Sequence, residues 1–448
     1  VGPALPAIQR AFGVDARASA WIFTIYILFN LVSVPLMSKL SDQFGRRSIY
    51  VLDVALFAAG SLIVALSPES QFSVLLFGRA VQGFGAGGIF PVASAVIGDT
   101  FPPEKRGSAL GLIGAVFGLA FLIGPVLSGV LLVFLTWHWL FVVNLPIAAV
   151  VIFMALRTLP ARRSLAAGPF DLPGMAVLGL LLAGLTYGIN QLDTTHVAAS
   201  LASLNVWPFL LGALLLAVLF VAIERRAANP VIRIGLFGSR QISVVSLLAA
   251  GAGIGESAVG FVPALLVAAY SVKLSQASFM LLPAVLAMGV GSPLAGRSLD
   301  RFGSRVVLLA GSLLVALGLF VLAPLQSGMA FFYISAVLVG LGLGMLLGAP
   351  LRYVMLNETP ASERASGQGI LALDTSIGQL MGAALVGAVA SSTGGGAPGY
   401  LSAFLVIGGI MVVMAALTFA LKGRHAEMAT ASEHHAAARQ APKATSEG

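Results

Sequence analysis

Four ionisable side chains stand out inside long apolar runs: Asp53, Arg79, Glu256 and Asp374. At membrane depth such groups are costly, and by default they mark candidate function. Glu256 stands near the middle of its run, in Gly253-Ile254-Gly255-Glu256-Ser257. A carboxyl withdrawn from water there suits the uptake and release of a proton, or the pairing of a substrate charge; the plainer alternative is a hydrogen-bonded glutamate. Asp374 sits about one and a half turns into its run, a candidate for a cavity or for proton coupling. Asp53 is about one and a half turns from Arg47, and either joins the coupling groups or faces the adjoining loop. Arg79 lies too deep for its guanidinium to reach water easily, and its structural alternative is to bond carbonyls of a neighbouring helix.

The elements that position these residues are membrane helices. Hydrophobic residues make up 58% of the 448 and charged residues 9%, with a mean hydropathy of +0.99. A soluble domain carries about 25% charged residues. Apolar runs occupy 20–38, 48–66, 72–98, 108–134, 138–157, 172–191, 205–223, 242–270, 276–296, 306–324, 329–356, 368–391 and 400–421. They are unbroken rather than alternating, which sets barrel strands aside, and a backbone in lipid then satisfies itself as helix. With no Cys and five His, thiol chemistry is excluded and no metal site is suggested. No P-loop and no nucleophile–base pair stands on the runs, so neither an enzyme nor a direct ATP driver is expected, and no cofactor or metal is called for. The fold class expected is an all-α membrane protein.

A short loop is written twice. Asp42-Gln43-Phe44-Gly45-Arg46-Arg47 returns as Asp300-Arg301-Phe302-Gly303-Ser304-Arg305, 258 residues later. In the same frame Pro102 meets Pro360, Arg106 meets Arg364, Ser108 meets Ser366 and Gly111 meets Gly369. Two six-helix halves repeated in parallel form transporters with a substrate site at the midplane between them. The runs 172–191 and 205–223 have no counterpart and read as a two-helix insert. Gly45 and Gly303 permit a tight turn. Asp42 can accept from backbone N–H groups at a helix start, where the dipole favours an anion. Arg46 and Arg47, with Arg305 in the second copy, can pair with carboxylates across the contact between halves. A clasp that holds one conformation and parts in the other follows, strongest at 42–47 and supported by Asp300, Gly303 and Arg305.

Charge placement orients the chain. The 42–47 side holds Lys39, Arg46, Arg47, Lys105, Arg106, Arg225, Arg226, Arg297, Arg301, Arg305, Lys422 and Arg424 among others, while the opposite side holds only Arg10, Arg17 and Lys273. Lys and Arg are kept in the cytoplasm, so the net charge of +8 is a topology signal and nucleic acid is not an expected partner. The C-terminus is then cytoplasmic.

In order along the chain, several motifs resemble the major facilitator superfamily, specifically its fourteen-helix drug:proton antiporter branch of the EmrB/QacA type. Ser38 to Arg47 resembles the loop motif, with Ser38 in place of Gly and Gln43 in place of Arg. Leu76-Phe77-Gly78-Arg79-Ala80-Val81-Gln82-Gly83 resembles the fourth-helix motif, and Ala120 to Gly129, with Gly124-Pro125, resembles the fifth-helix antiporter motif. Trp137 to Pro146 resembles a branch signature with His138 where Arg is common, and Asn229-Pro230 with Leu236-Phe237 resembles the loop after the insert. The resemblance implies two six-helix bundles plus two inserted helices, and it places Arg79 in the proton-coupling region. Glu256, Asp374 and Asp53 join the coupling candidates by their own placement, Asp374 at a position that departs from the family. Substrate-cavity candidates are Tyr26, Asn30, Gln82, Phe117, Phe121 and Glu256. Tyr26 and Asn30, like Phe117 and Phe121, stand one helical turn apart.

The expected organisation is an N-terminal bundle over 1–157, a linker with the insert over 158–241, a C-terminal bundle over 242–421 and a disordered cytoplasmic tail over 422–448. Residues 1–12 read as the end of another helix and the chain starts with Val. A truncated first helix is therefore expected, with thirteen helices complete here and fourteen natively. The family's first-helix acid then falls outside the chain, nearly opposite Glu256 in the repeat frame. The expected function is proton-coupled export of small amphipathic or hydrophobic compounds by a monomer in the cell membrane. The alternatives are export of one endogenous metabolite or lipid, and a non-transporting sensor on the same fold.

Overall fold

Each of the thirteen apolar runs forms a helix or two consecutive helical pieces in the computed structural model, which describes residues 5–14, 16–160, 171–191, 196–228, 230–272, 274–325 and 328–430. The helices, in order, are α1 Leu5–Phe12, α2 Ala16–Phe44, α3 Arg46–Ala65, α4 Phe72–Ala86, α5 Ile89–Thr100, α6 Pro103–Phe134, α7 Trp139–Val142, α8 Asn144–Thr158, α9 Leu172–Asn190, α10 Val197–Leu201, α11 Trp207–Glu224, α12 Arg240–Tyr270, α13 Leu274–Phe279, α14 Leu282–Phe302, α15 Ser304–Val321, α16 Met329–Leu347, α17 Pro350–Glu358, α18 Arg364–Ser392 and α19 Gly396–Leu417. Among the described residues there is no strand, and eleven helical stretches are long and apolar enough to cross a bilayer. Large apolar side chains face outward along them: Leu66 is 71% exposed and Phe134 80%. In lipid such exposure carries no hydrophobic penalty, and close backbone packing takes over as the force between helices.

In the first repeat, α2, α3 and α4 pack together; in the second, α12, α18 and α19 pack together, as do α14, α15 and α16. Two seams join the repeats, α6 against α14 and α2 against α18. Small residues line both. Ser292 Oγ donates to the Gly111 carbonyl at 3.0 Å, and a Cβ on Gly296 would meet the Gly107 carbonyl oxygen at 2.6 Å. Ser38 occupies the position equivalent to Gly296. Its hydroxyl folds back onto the Val34 carbonyl at 2.6 Å and faces Gly369. A glycine opposite therefore accommodates the serine that departs from the family's loop motif. The inserted helices α9 and α11 pair with each other, and α9 lies against α2 and α18, sharing a cluster with Leu31, Leu178, Leu182 and Leu373.

The tail differs from expectation. Residues 424–430 are helical rather than disordered, and Glu427 is buried. Its carboxylate accepts the Ser304 N–H at 3.1 Å, capping α15. Arg424 donates to the Asp300 carbonyl at 3.1 Å, and Lys422 reaches Glu358 at 2.5 Å. The docking bonds reach the backbone of the second loop copy, which a linear reading of a polar tail does not reveal. Burial raises the Glu427 carboxyl above the usual glutamate range, helped by Glu358 and opposed by the Ser304 bonds and Lys422. The docked tail therefore holds this proton to higher pH than a free tail does. The contribution of this proton to docking is fully present below the free glutamate value of about 4.3 and weakens as pH rises through the raised value. Trypsin cleavage after Arg424 is expected to quicken from about pH 5 to about pH 8 relative to a reference site, and Glu427→Gln to flatten that dependence.

Candidate functional site

The two loop copies make equivalent bonds across the seams. Gly45 and Gly303 turn the chain at φ 94° and 83°, a left-handed conformation that favours glycine. Asp42 accepts from the Ala365 N–H at 3.1 Å, the Ser366 N–H at 2.8 Å and the Ser366 hydroxyl at 2.6 Å, at the start of α18. Asp300 accepts from the Ser108 N–H at 3.1 Å and from its hydroxyl, near the start of α6. Each aspartate thus holds a helix of the other repeat: Asp42 caps the first residues of α18 with a charge that the helix dipole favours, and Asp300 binds the sixth residue of α6.

Arg46 extends the first copy. It pairs with Asp42 and, through Nε, with Asp99 at 3.0 Å, and it donates to the Ala361 carbonyl at 3.3 Å. Asp99 also accepts from Arg364 at 2.7 Å, binding both repeats at once. In the repeat frame Arg364 answers to Arg106 and Asp99 to Asn357, and Arg106 donates to Asn357 Oδ1 at 2.7 Å. Asp99 and Asn357 were not candidates from the sequence, although the 258-residue frame aligns them. Arg47 has no ion pair or side-chain hydrogen bond among the described residues, and Arg305 lies over the Phe419 ring at 4.9 Å rather than against a carboxylate.

A second polar group lies inside the first repeat. Arg79 donates to the Ile22 carbonyl at 3.0 Å and to Gln82, and stands over the Tyr26 ring at 4.2 Å. Gln82 donates to Ser61 Oγ at 2.7 Å, which also receives Asn144 Nδ2 at 3.2 Å. Tyr26 and Gln82 therefore belong to this buried network and do not line the central cavity. Ser61 and Asn144, missed in the sequence, complete it.

The central cavity, about 260 Å³, lies between the repeats. Asn30 of α2 and Glu256 of α12 both line it. Gln379 of α18 donates to the Glu256 carboxyl at 2.7 Å. Ser292, Thr375 and Ser376 add hydroxyls, and Phe90, Leu347, Leu351 and Leu371 supply apolar wall. Arg352 of α17 also lines it. The rule that singled out Arg79, a cation inside an apolar run, applies equally to Arg352 within 329–356. Asp374 is not in the lining; it sits beside Ser246 of α12, and its Oδ2 is buried without a hydrogen-bond partner among the described residues. Asp53 is fully buried below Gly88 at the break between α4 and α5, and neither carboxyl oxygen has a partner among the described residues. The side chains of Phe117, Phe121 and Pro125, and the surroundings of Gly124, lie outside the described residues; the backbone there is helical. Among the described residues no cluster of three or more metal-ligating side chains occurs.

A lipid-facing helical exterior, a polar-ended apolar cavity between repeats and a bonded clasp at one end define a multi-pass membrane transporter. The family model of the Major Facilitator Superfamily matches residues 1–255 and 245–445, and the chain belongs to that family. It is 33% identical over 388 residues to an uncharacterised MFS-type transporter, YfiU, of Bacillus subtilis, covering 84% of this chain and 73% of that one. It is 29% identical over 400 residues to the multidrug transporter protein MdtP of the same organism, covering 88% and 72%. In fold it resembles the crystal structure of the human organic anion transporter MFSD10, with a TM-score of 0.65, 17% identity and coverage of 93% and 88%.

Proposed function

We propose that the protein is a proton-coupled antiporter that exports small amphipathic or hydrophobic compounds, of the fourteen-helix drug:proton branch, working as a monomer in the cell membrane with its C-terminus in the cytoplasm. The observation that carries this reading is Glu256, a carboxyl deep in the membrane that lines the cavity and is held by Gln379 at 2.7 Å. A group so placed meets substrate and proton at one point, which is what exchange of one for the other requires. The cavity volume is of the order of a site for a drug-sized molecule. The multidrug relative supports the substrate class.

In the cycle proposed, ionised Glu256 binds the substrate's cationic portion from the cytoplasm. The repeats then rock so that the clasp closes, and a proton from outside neutralises Glu256 and releases the substrate. Asp53 and Asp374 are further proton carriers, and Arg79 with Gln82 and Tyr26 stiffens the first repeat around the coupling region. The bundles of this cycle are 1–157 and 242–421, with the insert over 158–241 braced against α2 and α18.

The test is transport of a fluorescent lipophilic compound by purified protein in proteoliposomes under an imposed pH gradient. Glu256→Gln is expected to lower gradient-driven transport at least about tenfold and to weaken substrate-for-substrate exchange with it, because the neutral amide cannot hold the substrate's cationic portion. Undiminished gradient-driven transport in the variant would sink the Glu256 assignment.

A further inference from the structure

The cavity carries opposite charges at different depths. Glu256 and Arg352 are the only titratable side chains among the described residues that line it. No described carboxylate lies within ion-pair distance of Arg352. The one side-chain bond it makes is a long one, Nη1 to Ser94 Oγ at 3.4 Å, while its backbone carbonyl accepts from Gln368 at 2.9 Å. Ser94 and Arg352 are 258 residues apart, so they are equivalent positions in the repeat. A contact between equivalents lies on the pseudo-two-fold axis, which places this guanidinium where the two repeats meet.

The helices supply a depth scale. Lys422 binds Gln241 through its N–H at 2.9 Å and Glu358 through its ammonium at 2.5 Å, which brings the ends of α12 and α17 to within one lysine side chain of a common level. Glu256 is fifteen residues beyond Gln241, and Arg352 is six residues before Glu358. At a rise of 1.5 Å per residue their backbones stand about 22 and about 9 Å from that level, roughly 13 Å apart along the axis.

We propose that the cavity recognises a zwitterionic amphiphile whose anionic group binds Arg352, whose cationic group binds ionised Glu256, and whose apolar body lies against Phe90, Leu347, Leu351 and Leu371. This rests on the export reading above and adds the charge pattern of the substrate. In a poorly solvated site an unmatched charge is penalised far more than a matched pair is rewarded. A simple cation satisfies Glu256 but is repelled by Arg352 and leaves it unpaired. A simple anion satisfies Arg352 and leaves ionised Glu256 alone. A zwitterion matches both. A proton on Glu256 then removes one of the two anchors, so substrate and proton compete.

The test reads binding first, independently of coupling. Three matched probes are titrated into the purified protein by fluorescence anisotropy: a coumarin dye with a carboxylate and an ammonium at opposite ends, its methyl ester (cation only) and its N-acetyl derivative (anion only). The zwitterion is expected to bind at least about tenfold tighter than either derivative. Arg352→Gln is expected to abolish that preference and tighten binding of the ester, with Arg352→Lys intermediate. Binding of the ester as tight as that of the zwitterion, an equal loss for all three probes in Arg352→Gln, or no binding of any probe would overturn the proposal. Gradient-driven transport in proteoliposomes is then read separately. If the binding preference holds and a pH gradient drives nothing, the coupling reading fails and the charge pattern stands.

Discussion

Replacing Asp42 by Asn is expected to part the clasp. The carboxylate accepts three bonds from the first residues of α18 and pairs with Arg46. Asn keeps the size but removes the charge, and it offers one acceptor oxygen where two were used. Hydrogen bonds to a charged group contribute about 1.5–3 kcal/mol each. Arg46 retains Asp99, so the loss is partial. A shift of about 2–3 kcal/mol toward the parted state is expected, a factor of roughly 30 to 150 in population. The chain contains no Cys, so labels at Ser48→Cys and Ser362→Cys report without background. Both positions are exposed near the clasp, on opposite repeats. Spin-label distances between them should move to a longer population in Asp42→Asn. Arg47→Gln is the control, since Arg47 has no partner among the described residues; a shift as large as that of Asp42→Asn would refute this account of the clasp. Asp300→Asn should shift the balance less, because Asp300 pairs with no cation among the described residues, whereas Asp42 also pairs with Arg46.

Gly253→Val is expected to prevent proper assembly. A Cβ at Gly253 would lie 2.0 Å from the Thr375 carbonyl oxygen, and one at Gly378 would lie 2.0 Å from the Ala250 carbonyl oxygen. Here α12 and α18 touch backbone to backbone, so no side chain can swing aside. Overpacking commonly costs about 1–3 kcal/mol and more where the backbone itself must move. The contact also sets the distance from Glu256 to Gln379. Gly260→Val on the same helix meets nothing within 4 Å, which makes it the matched control. The yield of monodisperse protein should collapse for Gly253→Val and hold for Gly260→Val, with any surviving Gly253 variant melting lower by at least about 5 °C. Equal behaviour of the two variants would show that the close approach does not matter.

The presence of each helix was legible because the bilayer imposes one solution: an unbroken apolar run of this length has no other way to satisfy its backbone. Where helices end, and the breaks that split the runs 72–98 and 329–356, were not legible. The duplicated loop was legible for a similar reason. A polar, glycine-turned segment between such runs stands out, and its copy fixes the 258-residue frame. Glu256 was legible as a carboxyl far from any loop, and Asn30 as a polar group one turn from Tyr26. Tyr26 shows the limit of that spacing rule. It shares a helical face with Asn30 in sequence, yet its ring packs on Arg79 inside the first repeat while Asn30 borders the cavity.

The sequence by itself determined the helical membrane architecture, the repeat and the positions where charge enters lipid, because these follow from local chain physics and from the cost of burying charge. Only the tertiary structure decided which of those charges meet. Asp99 bridges Arg46 to Arg364, Glu427 caps α15, Gln379 holds Glu256, and Arg352 reaches Ser94 across the axis. The partners in these bonds are separated by 53 to 265 residues. No local periodicity encodes such meetings. They are set by how closely small residues let one helix approach the next.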